Sequence, residues 1–282
     1  MTKEQLLERN PWKDIAEQIK PNVTNCLYDN SNEYVIQGKE KDRIIAFNNA
    51  LKNTDDSDKI VLQTPPEPWR GNPLTANLII LTLNPGYDLN INKTLACLIQ
   101  AIDDVRIELI NFRKQTLKLE SDSMMPKKQQ KNNPISCFEA EDMLSGWYWT
   151  KNLKKLREAS QLEEDDFYKK IAVIEFHGYS STTCKKGFPL CGKESDYLDS
   201  QNYNKELIKY IIDNRSTEIR FLIVRAKNQW TTFLGDLYNA DLFLSKGNKG
   251  RNPSISKNNL AKKNEDGTID NDVFDQILSV LK

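Results

Sequence analysis

The sequence predicts an α/β protein with three layers, in which helices cover both sides of a central, mostly parallel, four-stranded sheet. Two observations lead to this fold class. Four short apolar runs each end abruptly in turn or polar residues, as the buried strands of a parallel sheet do. The segments between them carry apolar side chains at helical spacing, and such alternation favours a doubly wound sheet. The four runs are LIILTL (78–83), IAVIEF (171–176), IRFLIV (219–224) and ADLFL (240–244).

The remaining elements are predicted from apolar periodicity and from residues that begin or end helices. Residues 1–60 form an N-terminal helical extension of a single domain that spans residues 1–282. The polar segment 113–134 has little to bury and is predicted to be an exposed insertion. Trp69 is predicted to pack beneath the turn that leads into the first strand. Helices are predicted over residues 2–20, 39–51, 93–112 and 205–212, with a last helix that Asp270 caps.

Composition excludes several classes of protein. The chain has 282 residues, no net formal charge and 38% hydrophobic residues, and its mean hydropathy is −0.65. No apolar run approaches the ~20 residues that span a bilayer, and the first residues contain no apolar signal region. We therefore expect a cytoplasmic protein with no membrane partner. The five cysteines are scattered, and only Cys184 and Cys191 are close, so we expect no metal site and no cofactor.

Two strand-end loops carry the residues that indicate chemistry. Asn84-Pro85-Gly86-Tyr87 follows the first predicted strand, and the segment NPSIS (252–256) follows the fourth. Ligands of open α/β sheets bind just beyond the carboxyl ends of the strands, so we expect both loops at the binding edge. Between residues 246 and 263 the chain has six lysine or arginine side chains and no acidic one. The second loop is therefore a local basic segment.

The order of these two motifs resembles that of the uracil-DNA glycosylase superfamily. In its mismatch-specific branch the first motif ends in N-P-G, the second begins with N-P-S, and they follow the first and last core strands. Thr82 and Leu83 stand where the first motif usually opens with glycine. The resemblance covers roughly residues 60–265. It implies a monomeric, monofunctional enzyme that flips a damaged, mispaired or modified pyrimidine out of DNA and hydrolyses its N-glycosidic bond.

The resemblance also assigns roles to the first motif. Asn84 would hold the attacking water, because a carboxamide orients water although it cannot accept its proton. Pro85 and Gly86 would line the pocket for the extruded base. Gly86 stands where uracil-restricted enzymes have tyrosine, so its lack of a side chain predicts tolerance of pyrimidines substituted at C5. Tyr87 follows directly and is able to refill that space.

Glu175 and His177 end the second predicted strand, where the family places the side chain that reads the flipped base. His177 either donates a hydrogen bond to the departing base or is a loop histidine bonded to backbone. Glu175 either accepts from an exocyclic amine, as carboxylates do with cytosine, or forms a salt bridge within the fold. The sequence leaves both pairs of alternatives open.

The second motif is expected to contact DNA. By resemblance, Asn252, Pro253 and Ser254 would rest on the duplex. Ile255 would wedge into the base stack, and Ser256 would bond a phosphate. These contacts would together offset the few kcal/mol that base flipping costs.

Lys249, Arg251 and Lys257 flank the second motif and would neutralise adjacent phosphates, although a solvated lysine-rich loop is the alternative. Two rival functions also stay open. One is a catalytically inactive protein of the same fold that binds modified DNA. The other is an α/β hydrolase that acts on free nucleosides or nucleotides. Base-excision repair and defence against phage DNA both suit a pocket that admits substituted pyrimidines.

Overall fold

The structure is a computed structural model, and it describes residues 1–19, 33–51, 58–86, 103–126, 139, 147–182, 197–245, 254–263, 269–270 and 272–282. Within these residues the chain forms a five-stranded sheet, with helices packed on both faces. The predicted α/β class with a mostly parallel sheet is confirmed. The predicted count of four strands is wrong, because a fifth, antiparallel strand joins one edge.

The strands of this sheet are β1 (Trp69–Arg70), β2 (Leu78–Thr82), β3 (Ile171–Glu175), β4 (Arg220–Ile223) and β5 (Phe243–Ser245). Their order across the sheet is β1-β3-β2-β4-β5. Strand β1 is antiparallel to β3, and the other four strands are parallel to one another. Leu78, at the start of β2, pairs with Ile171 on one side and with Arg220 on the other.

Strand β1 is the element that the sequence did not reveal. It has two residues and follows Pro68, and proline is tolerated mainly on edge strands. Its pairing with β3 is extended by a 2.8 Å hydrogen bond from the backbone nitrogen of Glu175 to the carbonyl oxygen of Pro68. The prediction that Trp69 packs is confirmed. Its indole is 1% exposed and donates to the carbonyl oxygen of Thr116 at 2.5 Å.

Ten α-helices lie within the described residues, and none of them is both long enough and apolar enough to span a bilayer. The predicted helix over 39–51 is confirmed, whereas the one over 2–20 divides at Asn10-Pro11. Asp270 lies in a short hairpin formed by β6 (Lys262–Lys263) and β7 (Ile269–Asp270). The helices are α1 (Lys3–Glu8), α2 (Lys13–Gln18), α3 (Lys39–Ala50), α4 (Asp103–Leu117), α5 (Trp147–Ser160), α6 (Glu164–Lys169), α7 (Asp199–Arg215), α8 (Lys227–Leu234), α9 (Lys257–Leu260) and α10 (Asp272–Leu281).

The sheet is buried on both faces, and its side chains alternate between two hydrophobic clusters. Ile79 and Leu81 of β2 belong to one cluster, whereas Leu78 and Ile80 belong to the other. We call the side covered by α1–α4, α7 and α8 the first face, and the side covered by α5, α6, α9 and α10 the second face. Burial on both faces explains why the strands are continuous apolar runs.

The prediction of an exposed insertion over 113–134 is wrong where the structure describes it. Helix α4 continues to Leu117, and the chain then returns to the core, where Leu119, Met124 and Met125 are each at most 4% exposed. Leu119 has a φ of 61°, a left-handed conformation of the kind that ends many helices. Residues 113–126 are therefore anchored in the core by their buried side chains, and 127–134 lie outside the described residues.

Candidate active site

The candidate site lies at the carboxyl edge of the sheet, where the strand order reverses. Strand β2 lies between β3 and β4, although both follow it in the chain. The connections from β2 to β3 and from β3 to β4 therefore run in opposite directions, and the loops after β2 and β4 diverge. Such a reversal creates a crevice outside the strand ends, where ligands of open α/β sheets bind. Residues 83–86 and 224–226 follow β2 and β4 at this reversal, so we expect them to border the crevice.

Asn84 follows β2 at the crevice, and its carboxamide is held in one orientation. Its Nδ2 donates to the hydroxyl of Ser181 at 2.9 Å and to the carbonyl oxygen of Pro85 at 3.1 Å. Because both bonds use the amide nitrogen, Oδ1 is left as an acceptor without a hydrogen-bond partner in the described part of the chain. An oriented acceptor of this kind is suited to holding a water molecule.

Gly86 leaves open space beside the loop after β2. A Cβ atom built on Gly86 would meet no atom of the described residues within 4 Å. Its backbone pairs with Ser181 in an isolated parallel bridge, which joins the loop after β2 to the loop after β3. Pro85 is buried, whereas Gly86 is exposed. Tyr87, which was predicted to line the pocket, lies outside the described residues.

Glu175 ends β3 at the same edge of the sheet, and its side chain lies on the second face. It is the register partner of Thr82, and it lies two residues after Val173, on the same face of the sheet as the second-face cluster. It is 6% exposed. Within the described residues, its Oε2 atom has no hydrogen-bond partner. Burial raises the pKa of this carboxyl to about 8, and the nearby charges of Arg225 and Arg70 oppose only part of that effect. Glu175 is therefore mostly uncharged at neutral pH.

Arg225 reaches the same crevice from the loop after β4. Its exposed guanidinium lies over the ring of Tyr148, 5.7 Å from the ring centroid. The pKa of Tyr148 is raised mainly by burial, while Arg225 opposes this effect and Glu175 adds to it. The three side chains are thus electrostatic neighbours at the start of α5. Arg225 was not predicted as a site residue, although its position directly after a buried run is the signal that identified Asn84.

The backbone next to Arg225 has a conformation that residues with a side chain rarely adopt. Ala226, which precedes α8, has a φ of 56° and a ψ of 40°, in the left-handed region. This conformation costs an alanine about 1–2 kcal/mol and persists only where the surrounding structure fixes it. Its place at the crevice supports a functional role for this loop.

His177 lies against α7 on the first face, away from the side chain of Glu175. It is 1% exposed, and the Nε2 atom of Gln201 lies 3.0 Å from its Nδ1. Because Oε1 of Gln201 accepts from the backbone nitrogen of Leu198 at 2.9 Å, the amide nitrogen faces the histidine. The imidazole therefore accepts at Nδ1 and carries its proton on Nε2. Burial lowers the pKa of His177 to about 3, so the ring is neutral and has no extra proton to transfer.

The described part of the second motif lies beside α5 on the second face. Ile255 is 1% exposed in the second-face cluster, and its backbone nitrogen donates to the carbonyl oxygen of Asn152 at 2.9 Å. The prediction that Ile255 wedges into DNA is therefore wrong, because this side chain belongs to the core. Asn152 lies about one helical turn from Tyr148, so the motif approaches the side of the crevice that contains Arg225.

The other residues of the second motif differ in their access to solvent. Ser256 precedes α9 and is 5% exposed. Its hydroxyl is therefore buried, although we predicted that it bonds a DNA phosphate at the surface. Ser254 is partly exposed, and Lys257 is fully on the surface. The remaining predicted contacts lie outside the described residues; they are Lys249, Arg251, Asn252 and Pro253.

The buried carboxyl of Glu175 predicts a dependence of stability on pH. Its pKa of about 8 in the folded chain exceeds its ordinary value of 4.5, so the folded state holds more protons than the unfolded state between these values. Stability must then fall as the pH rises through this window. We expect the free energy of unfolding to drop by about 3–4 kcal/mol more between about pH 5 and pH 8 in the native chain than in Glu175→Gln.

Urea denaturation at several pH values measures this difference. Glu218→Gln is the matched control, because Glu218 is exposed at the opposite end of β4 and should leave the pH dependence unchanged. Parallel pH profiles for the native chain and Glu175→Gln would show that Glu175 is ionised when folded.

The candidate site thus combines an oriented amide acceptor, a buried carboxyl and an exposed guanidinium, contributed by three consecutive strands of the sheet. Within the described residues, no group of three histidine, cysteine, aspartate or glutamate side chains is placed to hold a metal ion. Comparisons of the chain with protein-family models, with curated proteins and with solved structures found no match.

Proposed function

We propose that this chain is a monofunctional DNA glycosylase of the uracil-DNA glycosylase type, with the three-layer α/β/α architecture of that superfamily. The observation that carries the proposal is the place of Asn84 at the strand-order reversal. Among the described residues, its amide oxygen has no hydrogen-bond partner, and no atom fills the space beside Gly86. Both residues belong to the motif that resembles the superfamily. Their geometry supports the roles that the resemblance implies for them.

Base excision requires cleavage of the bond between C1′ of the deoxyribose and a ring nitrogen of the base. The bonding electrons leave with the base as an anion, which then takes a proton from solvent. A water oxygen bonds to C1′ and releases a proton, so the sugar ends as a hydroxylated abasic site. Asn84 would orient this water through Oδ1, and no covalent lysine intermediate is needed.

The edge of the sheet also offers cationic side chains to a DNA backbone. Three of these side chains are exposed. Arg225 follows β4, Lys227 begins α8 and Lys257 begins α9. Contacts with about four phosphates would give a slope of roughly −3 to −4 when the logarithm of the binding constant is plotted against that of the salt concentration. With Ile255 buried, phosphate contacts rather than an isoleucine wedge would offset the cost of flipping the base.

The open space at Gly86 supports a substrate with a substituent at C5 of the pyrimidine. A residue with a side chain at this position would approach that substituent, whereas Gly86 adds no atom beyond its backbone. Among the described residues, nothing beside Gly86 would exclude uracil, thymine or a 5-substituted cytosine. Excision of such bases suits repair of damaged DNA and removal of modified phage DNA alike.

The proposal is tested by incubating the protein with duplexes that contain a single modified base. The panel comprises uracil or thymine opposite guanine, 5-hydroxymethyluracil, 5-hydroxymethylcytosine and its glucosylated form. Abasic sites are then cleaved with alkali, and the strands are separated by size. We expect strand cleavage with at least one 5-substituted pyrimidine, in proportion to the amount of enzyme.

Two other outcomes would each contradict the proposal. Tight binding of modified duplexes without abasic sites, even at excess protein, would indicate a binding protein that has the same fold. Release of bases from free nucleosides, with no cleavage of DNA, would indicate a nucleoside hydrolase. Cleavage of uracil alone would contradict the role that we assign to Gly86.

A further inference from the structure

Building on the proposed glycosylase function, we propose that Glu175 and Arg225 read the base edge and select pyrimidines with an amino group at C4 over those with a keto group. The preferred substrates would then be cytosine derivatives rather than uracil or thymine derivatives.

The two side chains lie on opposite sides of β2. Glu175 ends β3, and Arg225 follows β4, so the two strands are separated by β2 and the backbones by roughly 10 Å, given a strand spacing of about 4.8 Å. Within the described residues no salt bridge joins the two, and the guanidinium lies over Tyr148 instead. This separation leaves room for the edge of a base between an acceptor on one side and donors on the other.

The surroundings of Glu175 suit the binding of a ligand better than they stabilise the fold. It is 6% exposed, and among the described residues its Oε2 has no hydrogen-bond partner. Leaving a buried carboxyl oxygen unpaired is costly unless a ligand supplies a donor. Of the two arginines that influence Glu175, Arg70 is buried and paired with Glu67 at 3.1 Å. Arg225 is exposed, so it is the arginine that can contact a ligand at the same time.

The two classes of pyrimidine present different patterns along the edge that faces these side chains. A cytosine offers a donor at N4 and acceptors at N3 and O2. A uracil offers an acceptor at O4, a donor at N3 and an acceptor at O2. When it is ionised, the carboxyl of Glu175 only accepts hydrogen bonds, and the guanidinium of Arg225 only donates them. An acceptor followed by donors matches cytosine at all three positions, whereas O4 and N3 of uracil would face groups of the same kind.

The charge state of Glu175 should modulate this preference. The groups that face it are Thr82 on β2, Arg70 on β1, Tyr148 on α5 and Arg225 after β4. An ionised carboxylate only accepts, whereas the neutral acid also has a proton that it can donate to O4 of a keto pyrimidine. Because burial raises the pKa of Glu175 to about 8, the preference for amino pyrimidines should increase as the pH rises through that value.

Affinity for single strands that contain one 2′-fluorinated nucleotide tests the proposal, because such nucleotides resist cleavage of the glycosidic bond. Two strands are compared, one with 5-hydroxymethylcytosine and one with 5-hydroxymethyluracil. They share the substituent at C5 and differ in the amino or keto group at C4 and in the hydrogen on N3, and neither is base-paired. At about pH 8.5, where the Glu175 carboxyl is mostly ionised, we expect the native protein to bind the cytosine strand at least about tenfold more tightly, as good base contacts provide.

Two variants and one control separate recognition from folding. Glu175→Gln has an amide that can pair with either base, so its preference should fall to less than about threefold and should not change with pH. Arg225→Ala should also lose most of the preference for the cytosine strand. Because it removes an exposed side chain, this variant should fold and can be tested even if Glu175→Gln does not fold. Glu218→Gln should retain the native ratio, because Glu218 is exposed at the far end of β4.

The inference is overturned if the native protein binds both strands equally, prefers the uracil strand or binds neither. It is also overturned if both variants retain the native ratio. Failure of the proposed function is detected separately, since excision is measured on the same strands with ordinary deoxyribose. A preference in binding without any abasic product would support base selection by Glu175 and Arg225 and would refute the proposed glycosylase activity.

Discussion

Replacing Asn84 by alanine is expected to lower the single-turnover rate of base excision by at least about 100-fold, because the attacking water then loses the acceptor that orients it. The affinity for substrate should change little, since Nδ2 of Asn84 is already bonded to Ser181 and Pro85 and we assign its Oδ1 to the water. Asn84→Asp should be faster than Asn84→Ala, because a carboxylate both orients water and accepts its proton. Quenched-flow measurement of abasic sites with enzyme in excess determines these rates.

The control for this prediction is Asn214→Ala. Asn214 is exposed on α7 and bonds only the carbonyl oxygen of Tyr210 one turn earlier, at 2.7 Å, so its loss should leave the rate unchanged. A native rate in Asn84→Ala would remove Asn84 from the reaction and, with it, the main support for hydrolysis at this crevice.

The second large effect is expected for stability, at Trp230. This indole is fully buried on α8 beneath the carboxyl end of β2, and its Nε1 donates to the carbonyl oxygen of Thr82 at 2.8 Å. It also contacts Phe176 edge to face, with ring centroids 5.1 Å apart. Trp230→Ala should therefore lower the free energy of unfolding by about 3–5 kcal/mol, as other truncations of large core side chains do. Urea denaturation followed by circular dichroism measures the loss.

A pair of milder variants isolates the hydrogen bond of Trp230. Trp12 is also fully buried, but its Nε1 has no hydrogen-bond partner among the described residues. Trp230→Phe and Trp12→Phe remove the same atoms, so the first should cost about 1–2 kcal/mol more than the second. Equal costs for the two variants would show that the bond to Thr82 contributes nothing net to stability.

The bond from Trp230 also connects the core with the site. Thr82 lies two residues before Asn84. Its carbonyl oxygen accepts one hydrogen bond from the indole of Trp230 and another, at 3.1 Å, from the backbone nitrogen of Phe176. These bonds fix the end of β2, from which the loop of Asn84 departs. Trp230→Phe should therefore slow excision even where the variant is fully folded, whereas Trp12→Phe should not.

The parts of the fold that could be predicted from the sequence are those with a strong one-dimensional pattern. Strands β2, β3 and β4 are buried on both faces, so their residues form continuous apolar runs that no other element would explain. Strand β1 has two residues beside prolines and carries no such pattern. The segment after α4 was predicted to be exposed because it is polar, yet Met124 and Met125 anchor it in the second-face cluster.

The site was only partly predictable, because its members meet through strand order. Asn84 could be identified from its place after a buried strand and from the resemblance of its motif. The proximity of Glu175 and Arg225 depends on β3 and β4 lying on either side of β2, and a single sequence does not specify that order. Ile255 was misassigned for a related reason. From the sequence alone, an isoleucine in a basic loop is typical of an exposed wedge. The structure instead places Ile255 in the core, where other side chains cover it.

The left-handed backbone at Ala226 has a further consequence for the loop after β4. A residue that is held in an unfavourable conformation by its surroundings has few alternatives, so the main chain beneath Arg225 is pre-organised before any ligand arrives. An incoming molecule would then restrict only the torsions of one long side chain, and the entropy lost on association would be correspondingly small.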